Sequence, residues 1–142
     1  MAEAKTRRSA LRLSFDGGSR GNPGPAYGSY RIVGQGRASG IEVLDRLEFN
    51  RGTNNEAEYW SLLAGLRRAL AETQGRQLLP EALDLQVVGD SQLVIRQLRG
   101  EWKARDSRMR ELRDEAQALL SRFGGVRLEH RPRRRSVAEF GH

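Results

Sequence analysis

The chain has 142 residues, of which 37% are hydrophobic and 30% are charged, a balance typical of one soluble globular domain with no room for a second. It contains no cysteine, which excludes disulfides and thiolate metal sites and leaves oxygen ligands or one of two histidines for any metal. Lys and Arg outnumber Asp and Glu by 25 to 18, and the net charge of +7 favours a polyanionic partner.

The chain begins with a short basic stretch, "MAEAKTRRSA", that has no apolar segment of signal-peptide length. No later apolar run approaches the length of a membrane-spanning helix. We therefore predict a mobile basic tail over residues 1–10, a single domain over residues 11–142, a cytoplasmic location and no membrane partner.

The first third of the chain alternates apolar and polar residues, as half-buried strands do. Leu11, Leu13 and Phe15 occupy every second position and lead into "DGGSRGNPGP", which predicts a strand that ends at a turn. Asp16 would lie at the end of that strand. The stretches "AYGSYRIVG" and "RASGIEVLDRLEF" predict two further strands in an antiparallel meander.

From Tyr59 onward the apolar residues recur every three or four positions, which predicts an amphipathic helix that begins near residue 54. Thr53 and Glu56 have the spacing of a capping box, so we expect Glu56 to serve the end of this helix. Glu58 lies one turn before Leu62, at the border of the buried stripe. We therefore expect Glu58 to face another part of the protein.

The second half of the chain alternates strands and helices. "LDLQVV" predicts a strand, "GDSQLVIRQLRG" a helix capped by Ser91, "SRMRELRDEAQALLSRFGG" a longer helix and "VRLEH" the last strand. This order predicts a mixed α/β sheet whose later strands are parallel. Asp16 and Asp90 would lie at the carboxyl ends of strands that can be neighbours. Carboxylates gathered there repel one another unless a divalent cation holds them.

Four stretches, "DGGSRGNPGP", "TNNEAE", "GDSQLV" and "HRPRRRSVAE", occur in the order and at about the spacing of type 1 ribonucleases H. The chain resembles this family over residues 11 to about 139. The resemblance implies a ribonuclease H-like fold, a five-stranded mixed sheet flanked by helices. It also implies a monomeric endoribonuclease whose partner is an RNA–DNA hybrid and which cleaves the RNA strand, leaving 5′-phosphate and 3′-hydroxyl ends.

The family mechanism uses two Mg²⁺ ions, for which Mn²⁺ can substitute: one activates water and the other stabilises the departing 3′ oxygen. By the resemblance, Asp16 would bridge both metals, Glu58 would bind metal from the helix and Asp90 from the end of the fourth strand. His130 would assist proton transfer or product release. Amides suit recognition of a 2′-hydroxyl because they donate and accept. The implied substrate contacts are Gly17, Asn22, Thr53, Asn54, Asn55 and Gln92.

The chain departs from the family pattern in two places. Where the family has an aspartate in a final "AD" pair followed by a last helix, this chain has Glu139, one residue early, and "FGH" beyond it. We take Glu139 as the fourth catalytic metal ligand. The basic protrusion of some members is also missing, so Trp102, Lys103 and Arg105, together with Arg133 and the rest of "HRPRRRS", are expected to contact the substrate.

Several structural alternatives remain open. They are turn formation or capping for the aspartates and asparagines, core or partly buried packing for Trp102, a solvated face or a localisation-like patch for the arginine run, and ordinary surface positions for Glu58, His130 and Glu139. Two other functions also remain open. One is a nucleic-acid-binding module on the same fold with impaired catalysis, which the altered terminus suggests, and the other is a nuclease of the same superfamily that acts on DNA.

Overall fold

The chain folds into a five-stranded mixed sheet flanked by helices, seen in a computed structural model that describes residues 9–142. The strands are β1 (Ala10–Ser19), β2 (Gly24–Gln35), β3 (Glu42–Gly52), β4 (Asp84–Gly89) and β5 (Gly125–His130). The helices are α1 (Asn54–Gly75), α2 (Gln92–Leu98), α3 (Ser107–Leu120) and α4 (Arg133–Phe140).

The strand order across the sheet is β3-β2-β1-β4-β5. The pairs β1–β2 and β2–β3 are antiparallel, whereas β1–β4 and β4–β5 are parallel. The predicted fold class is therefore confirmed. Among the described residues, no helix has the length and apolar character needed to cross a membrane.

The two faces of β1 carry different side chains because residues alternate along a strand. Leu11, Leu13 and Phe15 are buried in the main hydrophobic core, which the apolar side of α1 completes with Tyr59, Leu62, Leu63 and Leu66. Arg12, Ser14 and Asp16 belong to the other face. That face is covered in part by α4, which contacts β1.

The start of α1 confirms the predicted division of labour between its two glutamates. The Thr53 hydroxyl accepts a hydrogen bond from the Glu56 N–H at 3.1 Å, and the Glu56 carboxylate accepts one from the Thr53 N–H at 3.0 Å. This reciprocal capping box fixes Glu56 at the helix end. Glu58 is left with no capping role and is 6% exposed.

The prediction that β1 ends at Asp16 was wrong, since its antiparallel pairing with β2 continues to Ser19. Its parallel pairing with β4, however, stops at Phe15 and Gly89. Asp16 follows Phe15 within β1, and Asp90 is the first residue after β4. The glycine-rich stretch thus extends the strand, and the aspartates still come side by side because β4 ends there.

The amino end of the described chain is held against the sheet. The Ser9 carbonyl accepts a hydrogen bond from the Asp84 N–H at 3.1 Å, and Ala10 already belongs to β1, one residue before the predicted start of the domain. Residues 1–8 of the predicted mobile tail lie outside the described residues.

The sequence left only "FGH" where the family has its last helix, but the structure contains α4 over Arg133–Phe140. The arginine run forms the first turn of this helix. Gly141 ends it in a left-handed conformation with φ of 80°, and its N–H donates to the Val137 carbonyl at 2.8 Å. The arginine run, to which the sequence analysis assigned no helix or strand, is therefore helical.

Candidate active site

Three carboxylates meet where β1 and β4 part. Asp16, Glu58 and Asp90 each place an oxygen within 4.8 Å of the others. Asp16 and Asp90 follow the last paired residues of the two strands, and Glu58 comes from the first turns of α1. Asp16 is 1% exposed and the Asp90 side chain is 3% exposed. We call Asp16, Glu58 and Asp90 the acidic triad.

Gly17 allows the helix to approach the strand closely enough to form this triad. A Cβ at Gly17 would lie 2.5 Å from the carbonyl oxygen of Ala57, which is closer than side-chain carbons approach backbone. Gly17 is buried, and its N–H donates to the Asp16 carboxylate at 2.9 Å. We therefore reassign Gly17 from substrate contact to support of the triad.

Burial and mutual repulsion raise the pKa values of two triad members. Burial, followed by the charge of Asp90, raises the pKa of Asp16 to about 6, while Arg133 acts in the opposite direction. Burial raises the pKa of Glu58 well above its ordinary value, and the charges of Asp16 and Asp90 add to the effect. Without added positive charge, the triad does not favour full ionisation.

Two buried oxygens of the triad have no hydrogen-bond donor among the described residues, Glu58 Oε2 and Asp90 Oδ2. A buried polar group left without a partner is unfavourable by about 1–3 kcal/mol. Divalent cations such as Mg²⁺ bind carboxylate oxygens and would satisfy both atoms. The donor set and its two orphaned oxygens therefore fit a site for such cations.

His130 and Arg133 lie beside the triad, next to Asp90. The His130 ring, at the end of β5, has its Nε2 3.2 Å from the backbone carbonyl oxygen of Asp90. The Arg133 guanidinium, on the first turn of α4, lies 3.9 Å from Asp90 Oδ2 and is mostly exposed. Both side chains lie next to Asp90 on its solvent side.

The predicted amide and hydroxyl contacts fall into two groups. Asn22 and Asn54 join the β1–β2 turn to α1, because the Asn54 N–H donates to Asn22 Oδ1 at 2.9 Å and Asn54 Oδ1 accepts from the Ser19 N–H at 2.7 Å. Thr53 is committed to the capping box. By contrast, Asn55 and Gln92 are exposed, and neither side chain makes a hydrogen bond within residues 9–142.

Glu139 is not part of the triad, which corrects the predicted fourth ligand. Its carboxylate accepts a hydrogen bond from Arg131 at 2.8 Å and lies 4.0 Å from both Arg12 and Arg31. The α4 helix turns the side chain toward these guanidinium groups, which neutralise its charge. Glu139 therefore joins α4 to the sheet.

His142 occupies the position beside Asp16, and the sequence analysis gave it no role. Its Nδ1 lies 3.2 Å from Asp16 Oδ2, and its Nε2 lies 2.6 Å from the Ser29 hydroxyl. Burial, with the charges of Arg46 and Arg133, lowers the pKa of His142, so the ring is neutral at pH 7. Gly141 was the available signal, because a helix-ending glycine turns the chain back toward the sheet.

Trp102 is 43% exposed, so it is not a core residue, and the alternative of a partly buried packing residue stays open. The Arg96 guanidinium lies 5.2 Å from the centre of its ring, an arrangement typical of a cation–π contact. Trp102 and the neighbouring Lys103 and Arg105 present an exposed surface between α2 and α3. Their contact with a substrate stays a prediction.

A family described as reverse transcriptase-like matches residues 46–138 of the chain. The chain is 40% identical over 128 residues to ribonuclease HI of Halobacterium salinarum, an alignment that covers 89% of this chain and 59% of that protein. This chain is also 39% identical over 126 residues to relatives from Mycobacterium bovis and Mycobacterium tuberculosis, and it spans 32% of their length. The sequence similarity thus covers most of this chain and a part of each relative.

Solved structures agree with this similarity. The crystal structure of ribonuclease H1 from Halobacterium salinarum superposes with a TM-score of 0.74 at 36% identity, covering 89% of this chain and 88% of that one. LC11 ribonuclease H1 in complex with an RNA/DNA hybrid superposes with a TM-score of 0.76 at 25% identity, covering 90% of this chain and 89% of that one.

Proposed function

Because the chain belongs to the type 1 ribonuclease H family, we propose that it is an endoribonuclease that hydrolyses the RNA strand of RNA–DNA hybrids. The observation that carries this proposal is the acidic triad, two oxygens of which accept no hydrogen bond from the described residues. A module that only binds nucleic acid gains nothing from three buried carboxylates, since they repel phosphate. The triad therefore favours catalysis over the binding-module alternative.

The residues that would hold the cations are Asp16, Glu58 and Asp90. We propose Mg²⁺ as the natural ion and Mn²⁺ as its substitute, because both bind oxygen donors. When bound, two such ions supply positive charge to the entering and the leaving oxygen of the scissile phosphodiester. All three carboxylates come from one chain, which supports a monomeric enzyme.

The basic first turn of α4 is proposed to bind phosphates of the hybrid. Arg133, Arg134 and Arg135 are exposed, and they stand at the amino end of the helix, where the helix dipole is already positive. Cations are unfavourable at that end of a helix, so their presence there concentrates positive potential at the expense of stability. A bound phosphate would offset this repulsion, and Arg133 would hold it beside the triad.

Asn55 and Gln92 are proposed to distinguish RNA from DNA. Asn55 lies three residues before Glu58 on α1, and Gln92 lies two residues after Asp90 at the start of α2, so each stands near a triad carboxylate. Their side-chain amides are exposed and make no hydrogen bond within residues 9–142. An amide can donate to and accept from a ribose 2′-hydroxyl, a group that DNA lacks.

His130 is proposed to move a proton or assist product release at the site. Its ring is exposed and lies next to Asp90, so it can exchange protons with solvent while one nitrogen contacts the Asp90 carbonyl. An imidazole suits this role because one of its ring nitrogens can donate a proton while the other accepts one.

The proposed function is tested by offering the purified protein matched RNA–DNA hybrid, duplex DNA and duplex RNA, each labelled on either strand. We expect cleavage of the RNA strand of the hybrid with Mg²⁺ and none with a chelator. Products should carry 5′-phosphate and 3′-hydroxyl ends. Binding of the hybrid without any cleavage would support the binding-module alternative, and cleavage of duplex DNA would support the superfamily nuclease that acts on DNA.

A further inference from the structure

We propose that His142 is a fourth ligand of the metal site, with its Nδ1 binding a cation that Asp16 also holds. This inference rests on the proposed metal-dependent function, and it assigns the donor that Glu139 does not provide. It is carried by the position of the ring: Nδ1 lies 3.2 Å from Asp16 Oδ2, on a carboxylate that is 1% exposed. No other histidine of the chain contacts a triad carboxylate oxygen, since His130 contacts the Asp90 backbone.

A row of three residues across the sheet builds the place where this ring sits. Ser29 lies directly opposite Asp16 in the β1–β2 ladder, and Arg46 lies directly opposite Ser29 in the β2–β3 ladder. Ser29 is fully buried, and its hydroxyl is 2.6 Å from His142 Nε2. Residues on adjacent strands therefore lie next to both ring nitrogens, with Asp16 beside Nδ1 and Ser29 beside Nε2.

The backbone that leads to His142 is also held. The Arg46 guanidinium donates to the Phe140 carbonyl at 2.6 Å, and Phe140 is fully buried. The Tyr27 ring meets the His142 ring edge-on, with 5.2 Å between the ring centres. These contacts fix the path of the chain after α4 and limit the rotation of the imidazole.

Ser29 lets the ring serve as a ligand without losing its anchor. A hydroxyl donates one hydrogen bond and accepts others. Ser29 can therefore accept from an Nε2–H, which leaves the Nδ1 lone pair free to bind a cation. Ligand histidines typically have their second nitrogen held in this way, and the partner sets the tautomer and the orientation of the ring.

An imidazole in place of a carboxylate changes which ion the site prefers. Mg²⁺ strongly favours oxygen donors, whereas a nitrogen donor is accepted more readily by Mn²⁺ and later transition metals. One negative charge fewer in the ligand set also weakens attraction for every divalent cation. We therefore expect this site to favour Mn²⁺ over Mg²⁺ more than an all-carboxylate site does.

Pulsed electron paramagnetic resonance of Mn²⁺ bound to the substrate-free protein tests the proposal. A coordinated imidazole gives a nitrogen-14 coupling, and this coupling changes when the protein is labelled with nitrogen-15 histidine. The chain has two histidines, so the signal has only two possible sources. We expect the coupling in the parent protein and in His130→Ala, and its loss in His142→Ala. Labelling of the parent keeps the test valid even if His142→Ala does not fold.

Calorimetry supplies the second measurement. We expect His142→Ala to weaken Mn²⁺ binding by about tenfold or more, and His142→Asp to narrow the ratio of Mn²⁺ affinity to Mg²⁺ affinity. Asp16→Asn is the control that shows whether the measured Mn²⁺ binds at the acidic triad, since this change should abolish Mn²⁺ binding there.

Three outcomes would overturn the assignment, and they separate it from the proposed function. Mn²⁺ that binds in the parent, is lost in Asp16→Asn and shows no histidine coupling would exclude His142 as a ligand and leave the proposed function standing. A coupling that disappears in His130→Ala instead would assign the nitrogen to His130. Absence of any Mn²⁺ binding to the parent would overturn both the ligand and the metal-dependent function.

Discussion

Gly17 lies directly against the carbonyl group of Ala57, so that a Cβ added to Gly17 would come within 2.5 Å of the Ala57 oxygen. This contact joins β1 to the first turn of α1. Asp16 precedes Gly17 and Glu58 follows Ala57, so the same contact sets the separation of the two carboxylates. The acidic triad thus depends on the absence of a side chain next to its first member.

Replacing Gly17 with alanine should push α1 away from β1. We expect the free energy of unfolding to fall by about 1–3 kcal/mol, as overpacking does. We expect cleavage of the hybrid to fall by about a hundredfold, because small displacements of catalytic groups have effects of that size. Gly75→Ala is the matched control, since a Cβ there meets no atom within 4 Å. Parent-like cleavage by Gly17→Ala would mean that this contact does not set the geometry.

Removing the charge of Asp16 should stabilise the metal-free protein at neutral pH. Burial and the charge of Asp90 raise the pKa of Asp16 from 3.8 to about 6, so the folded state holds a proton that the unfolded state releases between these values. Ionisation of Asp16 therefore lowers the stability of the parent as the pH rises through that window. We expect Asp16→Asn to be more stable than the parent by about 1–3 kcal/mol at pH 7.

Denaturant unfolding of parent and Asp16→Asn in the presence of a chelator, from pH 4 to pH 8, measures this difference. The advantage of the variant should shrink toward pH 4, where the Asp16 carboxyl of the parent is protonated in the folded state. Added Mg²⁺ should stabilise the parent and not the variant. An advantage that grows toward low pH would show that the charge of Asp16 is not what destabilises the folded protein.

Replacing the arginines of the first turn of α4 with glutamine should weaken hybrid binding to a similar extent for all sequences. Each phosphate contact that is lost should lower the slope of log affinity against log salt by about 0.7–0.9. The matched control removes three exposed arginines that lie toward the amino end of β4, namely Arg37, Arg122 and Arg127. If the slope of log affinity against log salt changes equally in both triple variants, the weaker binding comes from the lower net charge and not from the position of the arginines on α4.

Glu139→Gln should affect stability and leave catalysis unchanged. The change removes the charge that Arg131, at 2.8 Å, and two more distant arginines share. We expect the free energy of unfolding to fall by about 1–3 kcal/mol, with a parent-like rate of cleavage in Mg²⁺. Thermal unfolding and a cleavage time course measure the two effects. Loss of Mg²⁺-dependent cleavage at unchanged stability would return Glu139 to the metal site.

Local patterns in the sequence were sufficient to predict part of the candidate site. The spacing of Thr53 and Glu56 identified the cap of α1, and the apolar periodicity placed Glu58 at the buried border, so the sequence alone separated the roles of the two glutamates. Asp16 and Asp90 were assigned to one edge because each follows a predicted strand and the two strands could be neighbours, and the parallel pairing of β1 and β4 does stop just before both of them. These inferences depend on contacts within one helix or between adjacent strands.

The part of the site that the sequence did not predict depends on how α4 packs against the sheet. The turn of that helix decides whether Glu139 or His142 faces Asp16. Arg131 holds the Glu139 carboxylate. Ser29 holds the His142 ring, and Arg46 holds the backbone that leads to it. The apolar periodicity of the sequence does not predict those long-range contacts. In the same way, the sequence does not distinguish Asn54, whose side chain accepts a hydrogen bond from the distant Ser19 N–H, from Asn55, whose side chain makes no hydrogen bond among the described residues.

The central claim is that the triad, and not merely an acidic helix start, carries out the hydrolysis. Two glutamates on the first turns of α1 allow a matched comparison. Glu58 is buried in the triad, whereas Glu56 caps the helix and contacts Arg108. Each can be changed to glutamine, which replaces a carboxyl group with an amide of similar size at positions two residues apart.

Cleavage of an RNA–DNA hybrid labelled on the RNA strand, with enzyme in excess and Mg²⁺ present, is the most direct measurement. Metal ions supply several kcal/mol of transition-state stabilisation, and each 1.36 kcal/mol is tenfold in rate. We therefore expect Glu58→Gln to cleave slower than the parent by about a thousandfold and Glu56→Gln to cleave at the parent rate. Equal rates for the parent and Glu58→Gln would contradict the assignment of catalysis to the triad.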